Sequence, residues 1–77
     1  MDRTVTRAEP GTGVVTVSVK RPGSELTYPT TGTVERTTQA GERFYAWKVG
    51  DAHGTSDNYI KAVESAARHI ERAEVRP

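Results

Sequence analysis

At 77 residues, with eleven Lys and Arg against ten Asp and Glu and no cysteine, the chain has room for one domain. It has the means for neither a disulfide framework nor a thiolate zinc site. A formal net charge of +1 lacks the basic excess of a dedicated nucleic-acid binder, and no stretch has the length and apolarity of a membrane span or a signal peptide, so a cytoplasmic protein is expected.

Residues Met1 to Gly13 hold charges, threonines, Pro10 and two glycines, with Val5 as the one sizeable aliphatic side chain. Burial of so little apolar surface does not offset ordering entropy, which predicts a flexible arm over 1–13 ahead of a single domain over 14–77. Gly11-Thr12-Gly13 is followed by no Gly-Lys-Ser/Thr and reads as a hinge, not a phosphate loop.

Val14 to Lys20 alternates Val15, Val17 and Val19 with Thr16, Ser18 and Lys20, the pattern of a strand with one apolar face. Pro22-Gly23 suits the central positions of a type II turn. Glu25 to Tyr28 reads as a short strand with Leu26 and Tyr28 on one side, and Pro29 ends or bends it. Thr33 to Thr38 is a further strand; its inward face would carry Arg36 beside Val34, which predicts a place near the sheet edge. Gln39 to Glu42 forms a hairpin turn into the strong strand Arg43–Val49, where Tyr45, Trp47 and Val49 alternate with Phe44, Ala46 and Lys48.

Gly50 to Gly54 reads as a loop, and Thr55, Ser56 and Asp57 are three candidate N-caps. A helix then runs from Asp57 or Asn58 to about Ala73, with Ile60, Val63, Ala67 and Ile70 on one stripe and a frayed end over Glu74–Pro77. The expected fold is α+β: an antiparallel meander of three or four strands, with one C-terminal helix packed on one face.

Catalytic constellations are sparse. Ser65 and His69 stand one turn apart on the helix with no carboxylate to orient the imidazole, so the expectation is not an enzyme. Asp51, His53 and Asp57 supply one imidazole and two hard ligands, which turn formation and capping explain without a metal; neither metal nor cofactor is expected. The sheet face away from the helix would carry Thr16, Ser18, Lys20, Glu35, Thr37, Phe44, Ala46 and Lys48, with Phe44 its one aromatic residue.

The run from Phe44 to Arg72, with Gly54, Ser56, Lys61 and the pair Ala66-Ala67, resembles the C-terminal half of a double-stranded RNA-binding domain. It is also similar to the three-strands-plus-helix DNA-binding domains of integrase arms and plant ethylene-response factors. That likeness implies nucleic-acid contact. In overall style the chain resembles small orphan proteins of phages infecting high-GC bacteria, which implies a binding protein directed at a host component in the host cytoplasm.

The expected function is a small non-enzymatic module that engages a protein partner. Phe44, Lys48, Arg36, Arg43 and Tyr59 form the candidate partner surface; Ala62, Ala66, His69 and Ala73 form a small-residue flank that packs on the chain's own sheet or, as the candidate self-association surface, on a second copy in a homodimer. The alternative is a nucleic-acid-binding module in which Lys20, Arg21, Arg36, Arg43 and Lys48 cluster on the sheet.

Overall fold

The computed structural model describes residues 3–74; the expectations for Met1, Asp2 and 75–77 lie outside the described residues. Five strands, β1 (Thr4–Glu9), β2 (Val14–Val19), β3 (Gly32–Gln39), β4 (Glu42–Val49) and β5 (Ala52–Ser56), precede one helix, α1 (Tyr59–Glu74). Every strand pairs antiparallel with its neighbour in sequence, in the order β1-β2-β3-β4-β5.

The α+β class, the meander and the C-terminal helix agree with the sequence; the strand count does not. Residues expected to be a loose arm form β1, and the expected loop after Val49 forms β5. Both strands are made by turns. In the β1–β2 connection Pro10 and Gly11 are the central residues of a turn closed by Thr12 N–H donating to Glu9 O, and Gly11 and Gly13 take φ of 78° and 73°. The supposed hinge is thus a tight hairpin loop. Gly50-Asp51 joins Val49 to Ala52 with φ of 57° at Gly50, as a two-residue hairpin with glycine first requires.

Elsewhere the local chemistry behaves as read. Pro22-Gly23 forms its turn, with Gly23 at φ 69° and Ser24 N–H donating to Arg21 O at 3.1 Å. The segment expected as a strand at Glu25–Tyr28 makes only a single bridge, Lys20 to Thr27, because Pro29 interrupts pairing beyond it. Helix α1 starts at Tyr59, one or two residues after the expected Asp57 or Asn58, and none of the three cap candidates caps it: Thr55 and Ser56 belong to β5, and Asn58 is the cap, its Oδ1 accepting from Ile60 N–H at 2.8 Å and Lys61 N–H at 3.3 Å.

The register sets the faces. Val15, Val17 and Val19 share the helix side with Val34, Trp47 and Val49, and the core is Val17, Val19, Val34 and Val49 against Ala62, Ala66, Ala67 and Ile70. The helix is rotated relative to its hydrophobic stripe. Ala62 and Ala66 are fully buried, whereas Ile60 is 64% exposed. Valines and Trp47 already fill the space above the sheet, so close approach needs small residues; at Gly32 even an added Cβ would lie 2.6 Å from Val49 Cγ2. Strand β3 is central, not marginal: Arg36 does lie on the helix side, opposite Tyr45, but it is exposed and escapes burial.

Among the described residues no helix is long and apolar enough to cross a membrane.

Candidate binding surfaces

The helix covers one side of the sheet and leaves the other open. By register the open side carries Val5, Arg7 and Glu9 of β1, then Val14, Thr16 and Ser18 of β2, then Thr33, Glu35 and Thr37 of β3. It continues through Phe44, Ala46 and Lys48 of β4 to His53 and Thr55 of β5. All eight residues expected on this side from the sequence lie on or beside it. Its middle is built mostly of small and β-branched side chains, with Thr16 opposite Thr33, and carries one carboxylate, Glu35, opposite Ala46. Phe44 is half-buried opposite Thr37, near the β3–β4 turn. Arg7 and Lys48 stand against Glu9, Glu35 and Glu42, and Thr16 Oγ1 donates to Glu9 Oε2 at 3.3 Å. At the margin, Lys20 is paired with Glu25 at 3.0 Å.

The five residues expected to form a partner surface divide between the two sides. Phe44 and Lys48 are on the open side. Arg36, Arg43 and Tyr59 are on the helix side, where Arg36, Tyr45 and Tyr59 line a shallow pocket of about 230 Å³ with Val15 and Val34. Tyr59 packs edge-on against Tyr45, ring centroids 5.7 Å apart.

The expected self-association flank is a correction. Ala62 and Ala66 are buried in the chain's own core and cannot meet a second protomer; only Ala73 of the four is exposed. His69 is half-buried over Trp47, with ring centroids 4.6 Å apart, and its Nδ1 lies 2.9 Å from the Ser65 main-chain carbonyl, which leaves the pair without the hydroxyl–imidazole contact of a nucleophile. Asp51 sits in a turn, His53 on the open side opposite Lys48, and Asp57 between β5 and α1. Among the described residues no three His, Cys, Asp or Glu stand together as metal ligands.

Two features escaped the sequence reading. One is the contribution of Val5, Arg7 and Glu9 to the open side; the Thr4-Val5-Thr6 run followed by Pro10-Gly11 was the available signal. The other is a groove of about 620 Å³ between β1 and α1, floored by Thr4 and Thr6 and walled by Tyr59, Ile60, Val63 and Ala67. Arg3 closes one end of it through a 3.0 Å ion pair with Glu71.

No protein-family model, curated protein or solved structure matches the chain, and the functional reading rests on this geometry.

Proposed function

We propose that the chain is a small binding module that engages a protein partner through the open side of its sheet. The observation that supports this reading is an uncovered five-stranded surface of threonines, Ala46 and Phe44 on which basic and acidic side chains are interspersed. Charges of both signs interspersed with threonines, Ala46 and Phe44 suit another protein surface better than a polyanion.

The nucleic-acid alternative needs a basic stripe, because phosphate contacts supply most of such affinity. The five basic residues expected to make one are dispersed: Arg36 and Arg43 on the helix side, Lys48 on the open side, Lys20 paired to Glu25, and Arg21 over the Tyr28 ring at 5.8 Å. That dispersal favours the protein partner.

The test compares two double variants of the full chain in cross-linked capture from cells that produce it, each checked for fold by circular dichroism. Phe44→Ala with Lys48→Glu alters the open side, and Arg36→Ala with Arg43→Ala alters the other. Loss of one and the same captured protein only with the first pair, by about tenfold or more in affinity, supports the proposal. Equal retention by both pairs sinks it. Binding to mixed-sequence duplex that survives near-physiological salt would put the nucleic-acid reading in its place.

A further inference from the structure

We infer that the outer edge of β1 pairs with a second copy of the chain, joining two sheets into one across a two-fold axis at Thr6. Strand β1 ends the sheet. Arg3 O accepts from Lys20 N–H at 2.7 Å, so the main-chain groups of Arg3, Val5, Arg7 and Glu9 point at β2. By alternation those of Thr4, Thr6 and Ala8 point outward. None of the outward groups has a partner among the described residues.

Exposed edges normally carry a guard: a lysine, a proline, a bulge, or a covering segment. From Thr4 to Glu9 there is no lysine or proline, and all six residues pair with β2 without interruption. A regular, unguarded edge is what strand pairing between copies requires.

The side chains then choose the register. An antiparallel partner must set outward groups against outward groups and keep each face with its own kind. With the axis at Thr6, Thr4 lies opposite the partner's Ala8 and Thr6 opposite the partner's Thr6, which uses every outward N–H and C=O of the strand. On the open side the same register sets Val5 against the aliphatic stem of the partner's Arg7. Moving the axis by one residue fails in either direction: at Arg7 it sets two Arg7 side chains together and Thr4 opposite Pro10, and at Val5 it leaves the outward groups of Ala8 with no residue of the partner's β1 opposite them. A further shift to Ala8 places Pro10, which has no N–H, opposite Thr6. One register uses every outward group of the strand and keeps the two Arg7 side chains apart.

The helix side agrees independently. The groove between β1 and α1 is floored by Thr4 and Thr6, so an axis through Thr6 makes the grooves of the two copies one trough. Ile60, 64% exposed in the single chain, stands in its wall. The edge lies apart from the middle of the open side, so failure of dimerisation leaves the partner surface of each chain intact.

Sedimentation velocity of the wild-type protein at micromolar concentration should show a dimer. The chain has no cysteine, so a single introduced thiol reports the register. Residues facing each other as a hydrogen-bonded antiparallel pair have Cα atoms about 5.5 Å apart, within disulfide reach. Thr6→Cys is expected to cross-link into a covalent dimer under mild oxidation. Ala8→Cys, on the same face but about 14 Å from its symmetry mate, is expected not to. Thr6→Pro, which removes an outward N–H and no bond to β2, a change that edge strands tolerate, should keep the far-UV spectrum and weaken the dimer at least tenfold. A monomeric wild type, or equal cross-linking from both cysteines, overturns the inference.

Discussion

Trp47 shows how one side chain constrains its surroundings. Its ring lies between His69 of the helix and Gly54 of the neighbouring strand. A Cβ at Gly54 would stand 2.8 Å from Trp47 Cζ2, so glycine is there for room and not for backbone freedom. Gly54→Ala should therefore destabilise the fold by about 1–3 kcal/mol through overpacking, read by denaturant unfolding on the fluorescence of this single tryptophan. Ala40 presents the opposite case. It sits in the β3–β4 hairpin with φ at 54°, ahead of Gly41 at 81°, a pair of left-handed positions that favours Asn-Gly and penalises alanine. Ala40→Asn is expected to raise stability by about 0.5–1 kcal/mol in the same unfolding experiment.

Among the elements, the helix start rests on one side chain. Asn58→Ala should cost about 1 kcal/mol, whereas Asp57→Ala, beside it but without a capping bond, should change the melting transition little. The elements that were legible are those whose pattern a buried face imposes. Alternating valines place β2, the Tyr45-Trp47-Val49 alternation places β4, and the apolar period places α1 to within two residues. Strand β1 was hidden because it lies outside the helix footprint, so neither of its faces is apolar. Strand β5 was hidden because its central residue must be glycine beneath Trp47, although Gly50-Asp51 is itself a hairpin signal. The rotation of α1 depends on which facing side chains are already large, and hydropathy along one element does not carry that information. Hence the sequence marks the open side almost completely but leaves the alanines divided between the chain's own sheet and a second copy, a choice that only the packing decides.

For the molecule as a whole, pairing at β1 would set two open sides next to each other on one continuous surface, with both helices on the opposite side. A partner offering two copies of its site would then be held bivalently, and its retention would fall steeply once the edge is broken. Stability would also depend on concentration: the melting temperature of the wild type should rise with protein concentration, and that of Thr6→Pro should not. The succession of the six elements has a further consequence, for the timing of folding. All five strands join their immediate neighbours in sequence, so hairpins form early and with little loop-closure cost. The cover for Val17, Val19, Val34 and Val49 arrives only with α1, the last element. On the ribosome the half-made protein is thus a sheet with its apolar side bare, which chaperones or aggregation can capture until the helix has emerged.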